Sequence, residues 1–432
     1  MKKGVFLSVA VLLTAIFVFS LTGCKNNIKG NLLASPAESP EFGYSDAKEE
    51  GFIAMNAAAE AFGAKFAAEA YSAYEGEGNF TVSPISVYMA LALAAESADG
   101  NTREELLQAL GVTRETLLSD FAKLYASVMR EYKGGMSEVT NSVWLDSAVD
   151  FNQNTLDTLA NKYYCYSYSA DFKGDNEKAN IAIKNFVKER TMNLIDVDFN
   201  FDTDTAFVLL NTLYLKDVWN TLGKDLEMTS EKYSFDTGSG TVSKNFLRGY
   251  YSGGRAYESE VYRSFYAATA NGYKIKFIVP KDGHSLAEAF TAENIAEAGS
   301  NKDYNAVDDV NKIRYYTRCI FPEFGGGYDA NVADVLKTGF GIRDLFDAGA
   351  CDLGALVTGG GLYCSELRHV TELKVDRKGI EGAAVTVVPG NMTADPGEYK
   401  EVYEDFVVDR AFGFVILDPY GTTLFAGTVK TI

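Results

Sequence analysis

Histidine is almost missing from this chain: there are two in 432 residues, His284 and His369. His284 follows "PKDG" in a turn and reads as solvated surface. His369 sits in the alternating run "SELRHVTELKV", where a hydrogen-bonded core histidine is expected rather than a base. No G-x-S-x-G, H-E-x-x-H, P-loop or dinucleotide fingerprint is present. A lone S-x-x-K, Ser45 to Lys48, lies in a polar segment where no pocket would preorganise it. Carboxylates are plentiful but none forms a distinctive pair, so an enzyme is not expected, and neither is a cofactor. Basic charge is also scarce, 40 Lys and Arg against 59 Asp and Glu for a net −19. That excludes the basic face a nucleic-acid partner needs. Five cysteines include no C-x-x-C, so zinc and redox sites lack support and no metal is expected. Cys165, Cys319, Cys351 and Cys364 are expected as isolated buried thiols.

The N-terminus has a definite pattern. "MKK" is a positive opening, "GVFLSVAVLLTAIFVFS" an apolar core, and "LTGC" ends the run at Cys24. Small residues directly before a cysteine resemble the bacterial lipobox. Residues 1–23 are therefore read as a lipoprotein signal peptide and Cys24 as the lipidated first mature residue. An exported, membrane-anchored protein at the cell surface or outside the cell follows. An uncleaved membrane anchor is the alternative. Residues 24–50, polar with Pro, Ser and Gly, read as a flexible tether. From 51 to 432 there is no second linker and no repeat, which favours one large domain.

Within that domain "GFIAMNAAAEAFGAKFAAEAYSAY" (51–74) and "VYMALALAAESA" (87–98) read as helices. "NTREELLQALGV" reads as an Asn-capped helix closed by Gly111. "FVLLNTLYL" (207–215), "YKIKFIVP" (273–280), "FGFVILD" (412–418) and "TTLFAGTVKTI" (422–432) read as buried strands. Helices come first and strands accumulate later, so the class is α+β.

Seven segments, in order, resemble the serpin family over about residues 51–432. "NFTVSPIS" (79–86) is similar to N-x-x-x-S-P-x-S and leads into "DGNT" and "EELLQALG". "IKNFVKERTMNLI" (183–195) and "NTLYLKDVW" (211–219) follow, with Lys184, Phe186 and Asp217 where the family usually has Asn, Trp and Gly. "FPEF", "VADVLKTGFGIRDLFDAGACDLGAL", "LYCSELRHV" with Ser365 and His369, and "VVDRAFGFVILD…GTTLFAGTV" complete the set, Ala411 replacing a usual Pro. The resemblance implies three β-sheets, about nine helices and an exposed reactive-centre loop. It also implies a sheet-opening core of Ser83, Pro84, Ser86, Asn211 and His369. The implied partner is a target serine protease, held covalently, and a monomer is expected.

On the same resemblance, residues 377–386 are the loop hinge: Gly379, Ile380, Glu381, Gly382, Ala383, Ala384, Val385 and Thr386, preceded by Arg377 and Lys378. An inhibitory serpin is cleaved in this loop, forms an acyl-enzyme and inserts the hinge as an extra strand. An inserted strand buries alternate side chains. Here these are Ile380, Gly382, Ala384, Thr386 and Val388, none of them charged. Family spacing puts the scissile bond at Thr393–Ala394, with Met392 one residue away. Counting back from the C-terminal strands lands near Lys400 instead, because the loop is long. Thr393 or Met392 suits an elastase-, chymotrypsin- or subtilisin-like protease. The acidic run "DPGEYKEVYED" either steers basic proteases or serves solubility. Arg377 and Glu323 swap the signs of a family charge pair, which implies a contact at the top of the sheet; two unrelated surface charges are the alternative. A non-inhibitory binding protein with the same fold is the runner-up reading, and a hydrolase the third.

Overall fold

All fourteen residues from Pro84 to Ser97 are buried, and the layers are arranged around that helix. A computed structural model describes residues 30–38, 41–132, 134–219, 225–300, 304, 306–358, 362–364, 366–381 and 399–432. The chain begins β1 (Asn31–Ala34), α1 (Glu50–Ser72), β2 (Phe80–Val82), α2 (Pro84–Ser97), α3 (Gly100–Leu110), α4 (Arg114–Val128) and β3 (Arg130–Tyr132). It continues β4 (Gly135–Asp146), α5 (Gln153–Tyr163), β5 (Cys165–Ala170), α6 (Asn176–Arg190), β6 (Phe207–Val218), β7 (Glu227–Asp236) and β8 (Thr241–Arg248). Next come β9 (Ser252–Gly253), β10 (Tyr257–Glu258), β11 (Tyr262–Ala268), β12 (Lys274–Pro280), α7 (Leu286–Ala289) and α8 (Ala292–Gly299). The last part is β13 (Val307–Asp308), β14 (Ile313–Phe321), β15 (Phe324–Asn331), α9 (Ala333–Phe340), β16 (Arg368–Asp376) and β17 (Gly379–Ile380). It closes with β18 (Lys400–Val407), β19 (Phe412–Leu417) and β20 (Thr423–Val429).

The front sheet runs β1-β5-β4-β6-β17-β16-β15, with β3 paired to β4. A second sheet runs β2-β20-β19-β12-β11-β10 and joins the first through the pairing of Gly327 with Phe80 and the bridge between Trp219 and Thr269. The third is β13-β14-β8-β7, with β9 and β18 also on β14. Three sheets and, among the described residues, nine α-helices make this an α+β fold. A helix apolar on every side has to be enclosed. In α2, Ala90, Ala92, Ala94 and Ala95 keep the backbone slim while Tyr88, Met89, Leu91 and Leu93 fill the space around it. Each of those larger side chains contributes about 2 kcal/mol by leaving water. The opposite face of the front sheet is covered by α6 and the segment after it, where Phe186, Ile195 and Phe199 pack with Trp144, Val208 and Leu210. No described helix is long and apolar enough to cross a membrane.

Two expectations are corrected. The segment read as a tether joins the body: Asn31–Ala34 pairs antiparallel with β5, and Phe42 packs on Phe52 and Tyr420. Four residues, Asn-Leu-Leu-Ala, are too short to carry a strand signal of their own, so the edge of β5 makes them one. The N-cap of α3 is Asp99, not Asn101, which sits in the first turn and donates to Asp344 Oδ2 at 2.6 Å. Gly111 ends that helix at φ 69°, a conformation that favours glycine. The four mapped thiols, Cys165, Cys319, Cys351 and Cys364, are free.

Where α1 meets the second sheet lies a half-buried carboxylate. Glu60 accepts from the Thr423 amide at 2.5 Å and its hydroxyl at 2.6 Å. Burial pushes its pKa up from 4.5 to about 7, and the two Thr423 bonds pull it back only in part. Folding therefore tightens proton binding, and the stability gained is lost as pH rises from about 4.5 through about 7. Asp418, raised to about 6 by burial, acts in the same direction. His369, lowered to about 4 by burial, acts oppositely over the same range, so the test needs a difference. Relative to wild type, Glu60→Gln is expected to gain on the order of 3 kcal/mol between pH 4.5 and 8, measured by denaturant unfolding. A difference that does not change with pH would contradict this.

Candidate functional site

The front sheet has an unusual place between β6 and β16. These strands are not paired with each other; the two residues of β17 lie between their upper ends. Gly379 pairs with Val218 and Asp376, and Ile380 with Asp217 and Val375. The Glu381 amide continues the ladder to Lys374 O at 3.0 Å. Below that point no ladder among the described residues joins β6 to β16. Backbone polar groups lining such a position need partners, so the gap is a template for another strand.

Sequence explains why the upper end can be entered. A Cβ on Gly379 would lie 2.0 Å from Asp217 O and 2.9 Å from Val218 Cα, so only glycine fits. Ile380 is fully buried between the two strands. Glu381 turns the chain at φ 44°, which for a non-glycine residue costs about 1–2 kcal/mol. Its carboxylate Oε1 is held by the Tyr214 hydroxyl at 2.8 Å. The other hinge residues, Gly382, Ala383, Ala384, Val385 and Thr386, lie outside the described residues, as do Met392, Thr393, Ala394, Ser365 and Cys24.

Around the entry, Trp219 donates from Nε1 to Asp376 O at 2.7 Å, and the Leu226 amide donates to Arg377 O at 2.7 Å. Asp217, where the family usually has glycine, is buried. Its carboxylate accepts from the Val218 amide at 2.9 Å and from Asn271 Nδ2 at 2.6 Å and N at 3.1 Å. Burial raises its pKa, with these hydrogen bonds working against the rise. The expected Arg377–Glu323 charge pair is corrected: the two side chains do not form an ion pair. Glu323 Oε1 accepts from the Arg377 backbone amide at 3.0 Å, while the guanidinium turns to Asp225 Oδ2 at 3.2 Å. The exposed Arg377 side chain follows the nearer carboxylate, and such a surface pair is worth well under about 1 kcal/mol.

Beneath the gap, four of the five expected sheet-opening residues meet. Ser83 precedes α2 and Pro84 opens it, a position that needs no amide hydrogen. The Ser83 amide donates to His369 Nε2 at 3.0 Å, and the Ser83 and Ser86 hydroxyls lie 2.9 Å apart. His369, on β16, points inward with its ring edge-on to Phe66 at 6.0 Å. Burial lowers its pKa to about 4, so it is neutral and accepts through Nε2. The Ser83 hydroxyl is turned to Ser86 rather than to the imidazole, so this is not a nucleophile and base pair. Asn211 stands across the gap on β6 and bonds Asn141 Oδ1 at 2.7 Å. Asn141 in turn donates to Tyr163 O at 2.8 Å. Asn211 Oδ1 is buried without a hydrogen-bond partner among the described residues. Sequence reading missed Asn141, Tyr214 and Asp225. Only the alternation of "EVTNSVWLD" on β4 hinted that Asn141 faces inward. No group of His, Cys, Asp and Glu suited to a metal occurs among the described residues.

The family model described as Serpin (serine protease inhibitor) matches residues 57–432. The putative serpin-Z6A of Oryza sativa subsp. japonica is 27% identical over 387 residues, covering 84% of this chain and 97% of that protein. Serpin48 from the insect Tenebrio molitor has a similar fold, with TM-score 0.73 at 21% identity, over 89% of this chain and 99% of that one. Human thyroxine-binding globulin gives 0.72 at 18%, over 88% and 99%.

Gly379→Ala is expected to expel the two-residue strand, because the blocking atoms are backbone. Amide exchange at residues 379–381 should speed up by roughly tenfold or more while β4 and β20 stay protected. Unchanged exchange at the hinge would contradict this packing.

Proposed function

The chain belongs to the serpin family, and on that premise we propose that it is a suicide-type inhibitor of serine proteases. The observation that carries the reading is the hinge: Gly379 and Ile380 lie between β6 and β16, and no described ladder closes the sheet beneath them. In this reading a protease serine attacks the Thr393 carbonyl, the peptide bond to Ala394 breaks, and the amine of Ala394 leaves with the proton. The ester formed ties the protease to residues up to 393. The hinge then extends downward as a full strand, its uncharged alternate residues facing the core and its other face lying beneath α6. The protease is dragged along, and its active site is distorted before water can cleave the ester. Inhibition is then a kinetic trap driven by the added strand, not an equilibrium affinity. Small or apolar residues at 392–394 suit elastase-, chymotrypsin- or subtilisin-like targets.

The lipobox-like run ending at Cys24 supports reading the inhibitor as a lipoprotein on the outer side of a bacterial membrane, and it is taken to act as a monomer. A second reading, a non-inhibitory binding protein on the same scaffold, draws support from the likeness in fold to human thyroxine-binding globulin. It also draws on Ile380 and Gly382, respectively larger than the family's Thr or Ser and a poorer strand former than Ala.

Mixing the protein with elastase, chymotrypsin, subtilisin and trypsin separates the two. The inhibitor reading expects an SDS-stable complex and, once denatured, a separate C-terminal fragment whose mass identifies the scissile bond. Clean cleavage without complex would support the second reading. Ile380→Glu would bury a charge beside Asp217 and Val375, at several kcal/mol if unpaired. It is expected to turn the inhibitor into a substrate, raising the stoichiometry of inhibition severalfold. An unaltered stoichiometry would sink the insertion mechanism.

A further inference from the structure

The strand that leaves the reactive loop carries an aromatic face with no role in insertion. β18 runs parallel to β14 in a register that sets Glu401 beside Arg314, Tyr403 beside Tyr316, and Asp405 beside Arg318. Alternation puts these six residues on one side of the third sheet. Tyr251, just before β9, completes the group. Its ring meets Tyr403 edge-on at 5.0 Å and lies under the Arg318 guanidinium at 4.7 Å. Tyr316 and Tyr403 stack at 5.1 Å with their planes 14° apart.

The rings are held in place by hydrogen bonds. The Tyr403 hydroxyl donates to Glu401 Oε2 at 2.9 Å and that of Tyr316 to Oε1 at 3.4 Å. The Tyr251 hydroxyl donates to Asp405 Oδ1 at 3.4 Å, and Arg318 grips both oxygens of Asp405 at 2.6 and 3.0 Å. Yet Tyr403 is 55% exposed and Tyr251 41%. Rings pre-ordered but left in water bury large area on contact at little entropic cost, which is the chemistry of interface anchors.

What covers them follows from the chain's own connectivity, taking the loop cleavage proposed above as given. Seven residues link Thr393 to Lys400, a span of at most roughly 25 Å. A compact protease of about 230 residues has a radius of gyration of roughly 17 Å and so a body roughly 45 Å across. A protease docked on the loop is wider than the tether that separates it from the sheet, so its surface is brought against β18. We propose that Tyr251, Tyr316 and Tyr403, framed by Glu401 and Asp405, form a docking face for the body of the target serine protease, outside its active-site cleft.

The test follows the second-order rate of loop cleavage in the full chain, read as appearance of the C-terminal fragment. The proteases are those that cut the loop. Tyr403→Ala is expected to slow cleavage by about fivefold or more, and the Tyr251→Ala, Tyr403→Ala double variant by more. Tyr403→Phe, which keeps the ring, should stay near wild type, and equal unfolding midpoints establish that the variants are folded. A free peptide of residues 386–400, lacking the sheet, should be cut more slowly than the intact protein. Alanine variants within twofold of wild type would overturn the docking face. So would a wild-type dimer that Tyr403→Ala abolishes, since the face would then pair two copies. Because the readout is cleavage, slowed alanine variants without any trapped complex would overturn the inhibitor reading and leave the docking face standing. A trapped complex with unchanged rates does the reverse, and a loop that no protease cleaves overturns both.

Discussion

The position between β6 and β16, which no ladder among the described residues closes below β17, is the constraint on which the rest of the structure depends. Backbone amides and carbonyls lining a sheet demand partners, and among the described residues Gly379, Ile380 and Glu381 meet that demand at the top. The surroundings make sense as devices that keep such a position usable. Gly379 lets the hinge approach Asp217 O closely, and the Trp219 indole pins Asp376 beside the entry. Below, His369 is kept neutral by burial and fixed by the Ser83 amide, so α2 holds β16 without placing a charge under the gap. Asn211 leaves a buried carbonyl oxygen without a partner among the described residues, on the strand that borders the gap. A fully closed sheet would need none of these arrangements.

The same constraint separates what was legible in the sequence from what was not. Long apolar runs such as "FVLLNTLYL" and "FGFVILD" carry their own signal, because a strand buried on both faces has no polar alternation to lose. α2 is equally plain, since the stretch from Val87 to Ala95, apolar on every side, has nowhere to sit but the core. The hinge was placed by its resemblance to the family's, with an uncharged alternation from Ile380 that insertion would require; of its residues the structure describes Gly379, Ile380 and Glu381. Ile380 is in fact buried, while Glu381 is directed to Tyr214.

The misreadings concern features whose outcome a partner elsewhere decides. Asn31–Ala34 becomes a strand only because β5 offers an edge. The cap of α3 falls to Asp99 because its amide is engaged by Asp352 O, which positions it at the helix entrance. Arg377 chooses between two carboxylates, and Asp225 comes from a segment with no sequence cue linking it to the hinge. Asn211 finds Asn141, seventy residues earlier, a partner that the sequence reading did not name. Spacing along one chain does not encode such choices between competing neighbours of similar strength.

The central claim is that the gap is a place a strand enters once the loop is cut. β19 and β20 are embedded in the second sheet, so cleavage near residue 393 leaves the C-terminal piece attached. The most direct measurement is therefore thermal unfolding of the intact chain against the same chain nicked in its loop. Filling the position is expected to raise the midpoint by more than about 10 °C, the shift that roughly 8 kcal/mol or more of added burial and hydrogen bonding produces in a domain of this size. A nicked chain that unfolds at the same temperature as the intact one, or lower, would contradict the account.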